Sequence, residues 1–157
     1  MAVGITVVNW NDESQIVETV KKFLIDKGYS IKPKWGQTGP DIQAERIENG
    51  VSRILIVEAK GYPSTLYAHG EKSGQEKPTK PETQARHWVA DAIFSILLRV
   101  SDSNISNIQF ALAFPRAQVY ITLLNRLKIF REKFNVLTFI VSEDRAVNDI
   151  LPQQDVS

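Results

Sequence analysis

The 157-residue chain has no cysteine, one methionine and only two histidines. Without thiols there are no disulfides and no thiolate metal sites, which predicts a reducing, cytoplasmic setting. Neither sign of charge dominates: the formal net charge is +1, so the molecule as a whole does not advertise a polyanionic partner. Long hydrophobic runs are missing too. The most apolar segment, Ala92 to Leu98, falls far short of the roughly 20 residues a membrane helix needs, so no membrane partner is expected. Met1 to Ile5 carries no basic stretch of the kind that opens a signal peptide. There is no internal repeat and no low-complexity tract. The remaining composition, 43% hydrophobic and 24% charged, is that of one globular domain able to bury its own core.

Local patterns divide the chain. Asn11-Asp12-Glu13 offers a helix start, Ile16, Val17, Val20, Phe23 and Leu24 follow at helical spacing, and Gly28 is the stop. Tyr29 to Trp35 reads as a short strand. Asp41 to Glu48 and Val51 to Lys60 read as two strands joined by Asn49-Gly50, a pair that accepts the positive φ of a tight hairpin turn. The Gly- and Pro-rich stretch 61–81 is a long loop, expected to be mobile without substrate and to offer Lys72, Lys77 or Lys80 to a ligand. A helix from Glu82 through Trp88, Ala92, Ile96 and Val100 comes next, then a buried strand, Ile108 to Phe114. An amphipathic helix, Arg116 to Phe134, carries Leu123, Leu127 and Phe130 on its inner stripe, and Val136 to Val141 closes the pattern as a strand. The domain core is set at about 11–142, with an acidic, unpatterned tail over 143–157. Arg116, Arg126, Lys128, Arg131 and Lys133 make a modest basic patch, compatible with phosphate contacts or with an ordinary solvated face. The order α-β-β-β-α-β-α-β implies a mixed central sheet flanked by helices on both faces.

The hairpin carries the chemistry. If Asn49-Gly50 is a two-residue loop, Glu48 opposes Val51, and seven residues further out Asp41 opposes Glu58. Opposed residues point to one face with Cβ atoms roughly 4.5–5.5 Å apart, and period two adds Lys60 to that face. The run Ile54-Leu55-Ile56-Val57 is apolar on both faces, the mark of a strand inside a sheet. Charges placed directly after it are costly unless paired or metal-bound. Two facing carboxylates suit a hard divalent cation such as Mg²⁺. The alternative is a cross-strand salt bridge from Asp41 or Glu58 to Lys60.

Gly39-Pro40-Asp41-Ile42 followed after seventeen positions by Glu58-Ala59-Lys60 resembles the PD-(D/E)XK nuclease signature. The element order from about Asp12 to Phe114 is similar to that superfamily's restriction-endonuclease-like αβββαβ core, with an added αβ unit. Within it the chain resembles the Holliday-junction-resolvase-like and RecB-like branches and, in Ala113-Phe114-Pro115 and its last αβ unit, the fdxN-element excision controlling factors. The resemblance implies a metal-dependent deoxyribonuclease. Asp41, Glu58 and the Ala59 carbonyl would bind Mg²⁺ or Mn²⁺, and Lys60 would act on the attacking water or the phosphate. DNA is the implied partner, and a homodimer is plausible because cutting two strands needs two sites. A non-cleaving nucleic-acid-binding or recombination accessory protein on the same fold is the alternative.

Two further positions follow from the same comparison. Glu13, in Glu13-Ser14-Gln15-Ile16-Val17, resembles the first-helix glutamate of the resolvase-like branch, although a first-turn glutamate also simply complements the helix dipole. Gln84, in Gln84-Ala85-Arg86-His87-Trp88, resembles the Gln-x-x-x-Tyr element of RecB-like nucleases, with tryptophan in place of tyrosine. There it would hold a water or a phosphate. Trp88 reads more simply as core, and His69 and His87 as surface or satisfied histidines.

Overall fold

A computed structural model describes residues 9–34, 39–63, 70–102 and 107–157. Ten elements follow in order: α1 (Glu13–Asp26), β1 (Ser30–Ile31), β2 (Ile42–Glu48), β3 (Val51–Ala59), α2 (Pro81–Asp102), β4 (Ile108–Pro115), α3 (Gln118–Arg126), α4 (Lys128–Lys133), β5 (Val136–Val141) and β6 (Val147–Ile150). The strands form one mixed sheet in the order β1-β2-β3-β4-β5-β6, with β3, β4 and β5 parallel and the outer pairings antiparallel. The expected mixed α/β architecture is therefore present. No helix among the described residues is long and apolar enough to cross a membrane.

The hairpin register is the one the turn dictates. Asn49 and Gly50 have φ of 50° and 77°, the positive values of a type I′ turn. Glu48 pairs with Val51 and Ile42 with Val57. Period two then sorts β3 between two cores. Leu55, Val57 and Ala59 face Ile16, Val20 and Leu24 of α1, whereas Ile56 joins Ala85, Val89, Ala92 and Ile96 of α2. Glu58 has the parity of Ile56, so it lies on the α2 side of the sheet.

Several expectations are corrected. The helix over 116–134 is two helices meeting at Leu127, whose N–H is shared between the Leu123 and Leu124 carbonyls. Its buried residues are Tyr120, Leu124 and Arg131, and Leu123, Leu127 and Phe130 are partly buried at their margin. On α2 the buried stripe is Ala85, Val89, Ala92 and Ile96. Trp88 is therefore half-buried beside that stripe instead of core. Of the 61–81 loop, residues 64–69, His69 among them, lie outside the described residues, as do Trp35 and positions 36–38.

The acidic tail is built into the domain. Residues 147–150 add β6 to β5, and Val156 is buried. Asn125 exchanges hydrogen bonds with the Val156 backbone, donating at 2.9 Å and accepting at 2.8 Å. The basic patch is drawn on to hold this segment. Arg131, fully buried, donates to the carbonyls of Leu124 at 3.1 Å and Gln154 at 2.9 Å. Lys128 pairs with Asp155 at 2.8 Å, and Arg116 donates to the Ser157 carbonyl at 2.9 Å. Replacing Arg131 with leucine strands buried carbonyls that a charged donor had satisfied. Arg131→Leu should lower the unfolding free energy by about 2–3 kcal/mol, measured by urea titration.

Candidate functional site

Four acidic and three basic groups meet where β2 begins and β3 leaves the sheet. Asp41 directly precedes β2, and its Oδ2 accepts the Ala59 N–H at 2.8 Å. The continued register sets it opposite Glu58. The N–H and C=O of a strand residue point to the same side, so the Ala59 carbonyl also faces Asp41. Lys34 Nζ stands 4.0 Å from Asp41 Oδ1. Lys21, Lys32 and Lys34 line a cleft of about 210 Å³ together with Pro40 and Asp41.

Glu58 is 6% exposed. Burial, and then the neighbouring charge of Asp41, pushes its carboxyl above the ordinary glutamate value, against the opposing pull of Arg99 and Lys60. Arg99, near the C-terminus of α2, donates from Nε to Glu58 Oε1 at 2.9 Å. Lys60 turns instead to Asp91 on the same helix, Nζ to Oδ2 3.0 Å. The cross-strand bridge from Lys60 to Asp41 or Glu58 is thus replaced by two helix-to-strand pairs. Burial pulls the Lys60 ammonium down. Its hydrogen bond to Asp91 and the charges of Glu13, Asp91 and Asp41 more than offset this, and its pKa lies above that of ordinary lysine.

Glu13 comes to this cluster from the first turn of α1. As a residue it is exposed, yet desolvation is the largest influence on its carboxyl, whose pKa is raised. Lys60 and Lys34 oppose the rise, and Asp41 and Asp91 add to it. The approach depends on Gly61. A Cβ there would lie 2.5 Å from the Glu13 nitrogen and 2.6 Å from the Asn11 carbonyl oxygen. The Tyr62 N–H donates to Asn11 at 2.9 Å, and the Tyr120 hydroxyl donates to the Gly61 carbonyl at 2.6 Å. Burial, with Tyr62 and Glu13 beside it, pushes the Tyr120 hydroxyl far up, so it stays a donor.

Gln84 is held at the start of its own helix. Its Nε2 donates to the Thr79 carbonyl at 2.7 Å and its N–H to Lys80 at 3.1 Å. Asp91, Arg99 and Lys34 are charged neighbours that the sequence reading missed. The available signal was that Asp91 and Arg99 border the apolar stripe of the helix after the Glu58 strand, next to Ala92 and three residues past Ile96.

Among the described residues, no three or more histidine, cysteine, aspartate or glutamate side chains converge as a metal cluster. The donors that do lie together are two carboxylates and a backbone carbonyl. These are hard oxygens, the chemistry Mg²⁺ accepts while keeping several waters.

The class these features define is a mixed α/β domain with an acid-acid-lysine set at a hairpin end. No protein-family model matches the chain, and no curated protein matches it. Two solved structures of restriction endonuclease FokI each share 16% identity with it. The one bound to DNA aligns over 85% of this chain and 24% of its own at TM-score 0.40, the other over 84% and 22% at TM-score 0.42. This chain spans about a quarter of those structures.

Two predictions follow from the geometry. Gly61→Ala should destabilise the fold, because backbone and not a flexible side chain meets the new methyl, and α1 should shift away from β3. Urea unfolding and the loss of amide-exchange protection at Tyr62 would register it. The second concerns pH in EDTA. Raised carboxyl pKa values mean that Glu58 and Glu13 contribute stability below the ordinary 4.5 and lose it as pH rises through their folded values. The melting temperature should fall over that window, and Glu58→Gln should flatten the fall.

Proposed function

We propose that this chain is a Mg²⁺- or Mn²⁺-dependent deoxyribonuclease of the PD-(D/E)XK superfamily, hydrolysing phosphodiester bonds in DNA. The observation that carries this reading is the buried carboxylate Glu58 facing Asp41 at the hairpin end, with Lys60 two residues on. Asp41, Glu58 and the Ala59 carbonyl would hold the ion. When bound, it would supply positive charge at the scissile phosphate and a lowered pKa for the attacking water. Lys60, a cation held at the same sheet edge, stabilises the charge that builds on the phosphate in the transition state. Glu13, whose carboxyl feels the charges of Lys60 and Asp41, would accept a hydrogen bond from a water at the same site. Lys34 would give a DNA strand a basic contact beside Asp41, with Lys21 and Lys32 near it but paired to Glu18 and Glu45. A homodimer would bring a second such set to the second strand.

A second reading, a non-cleaving nucleic-acid-binding or recombination accessory protein, is favoured by the pairs Arg99–Glu58 and Lys60–Asp91. These satisfy the charges of the set from within the chain.

Incubating the protein with supercoiled, linear and branched DNA, with Mg²⁺ or Mn²⁺ and then with EDTA, separates the two. Metal-dependent cleavage is expected, and binding without cleavage on every substrate would leave the accessory reading. Lys60→Ala should melt nearly as the parent does, since its partner Asp91 is 62% exposed and such a pair contributes at most about 1 kcal/mol. Its turnover should fall on the order of a hundredfold. Asp41→Asn is the cleaner test of the carboxylate, because Asp41→Ala also strands the buried Ala59 N–H.

A further inference from the structure

We propose that Arg99 is a positioning residue for the metal site: it fixes the Glu58 carboxylate by one oxygen and presents the other to a divalent cation. The inference rests on the metal-site reading above and goes beyond it, since Arg99 lies outside the Asp41, Glu58, Lys60 motif. Its contact is a single one, Nε to Oε1 at 2.9 Å. A carboxylate has two oxygens and about four lone-pair directions, so this contact leaves the second oxygen to another partner.

The need for such a residue comes from where Glu58 sits. It is buried, and it faces a second carboxylate, Asp41, across the hairpin. Repulsion between the two favours turning Glu58 away from Asp41, and the site would then have to be assembled afresh each time an ion binds. Lys60 does not prevent this, because its ammonium is drawn to Asp91. Arg99 does. It follows the buried Ile96 by three residues on a helix packed against β3, so its guanidinium is carried on a fixed element. Its side chain is 28% exposed, partly desolvated and close enough to hold the carboxylate in one rotamer. Carboxylates that ligate metals are generally hydrogen-bonded through their remaining oxygen, and removing that support weakens metal binding by about 10- to 100-fold.

Mn²⁺ alone is the probe. Its affinity is measured by titration calorimetry and by the electron-spin signal of the free ion. The proteins are the parent, Arg99→Met, Arg99→Lys and Glu58→Gln, with melting curves in EDTA run alongside. The expected result is a loss of about 10- to 100-fold in Mn²⁺ affinity for Arg99→Met, without loss of the folded state in EDTA. Arg99→Lys, which keeps the charge but not the Nε geometry, should show a several-fold loss. Glu58→Gln sets the floor. Parent-like or tighter binding by Arg99→Met overturns the proposal and makes Arg99 a bystander or a competitor of the ion. If Arg99→Met melts below the assay temperature, Arg99→Lys decides: a several-fold loss supports the proposal and equal affinity overturns it. Failure of the parent itself to bind Mn²⁺ overturns the metal-site reading and this inference with it, an outcome distinct from parent binding that Arg99 variants leave untouched.

Discussion

Two carboxylates face one another at the inner end of a hairpin, and one of them is buried. Glu58 continues a strand that is apolar on both faces, so its charge is carried into the sheet by the same backbone that builds the core. A buried carboxylate beside another is costly by desolvation and by repulsion together. The arrangement of α2 answers this. The helix packs Ala85, Val89, Ala92 and Ile96 on the sheet and, by doing so, brings Arg99 to Glu58 and Asp91 to Lys60. The apolar face supplies the adhesion and the flanking charges set where along the strand it lands.

Around that constraint the exit of β3 is locked to α1. Lys60 donates its N–H to Ala113 at 3.0 Å, and Tyr62 donates to Asn11. Between them Gly61 passes closer to the first helix than any side chain would allow. Tyr120 of α3 closes the lock from the other side with its hydroxyl on the Gly61 carbonyl. Three elements far apart in sequence therefore fix one backbone segment, and Glu13 is carried to Lys60 as a consequence of where α1 begins.

What the sequence made legible is what is local. Asn49-Gly50 sets a turn, the turn sets a register, and the register places Asp41 opposite Glu58 without any knowledge of the rest of the fold. Helix α1, from the Asp12 start to the Gly28 stop, is legible for the same reason. The rest depended on long-range packing. Arg99 lies 41 residues from Glu58, and no periodicity in α2 distinguishes a charge that reaches the sheet from one that reaches water. Arg131 counted as surface charge because arginine is rarely fully buried. It is buried because the final segment, Leu151 to Gln154, offers carbonyls that its guanidinium can satisfy. Val147 to Ile150 has two polar residues in four, and it becomes a strand because β5 presents an unpaired edge.

The charges gathered at the site bear on its partner. Glu13, Asp41, Glu58 and Asp91 stand against Lys34, Lys60 and Arg99, four formal negative charges to three positive. A phosphodiester carries a further negative charge, so a bare set of this composition repels the group it would have to cut. The lysines beside Asp41 do not fully reverse this, since Lys21 and Lys32 are themselves engaged with Glu18 and Glu45. For a module that only holds nucleic acid, a buried carboxylate with a second, half-buried one facing it at that edge is a handicap with no compensating use. For an enzyme that brings a divalent cation to the same edge, those carboxylates are the reason the cation stays. The acidic balance of the set thus fits the hydrolytic reading better than the accessory one.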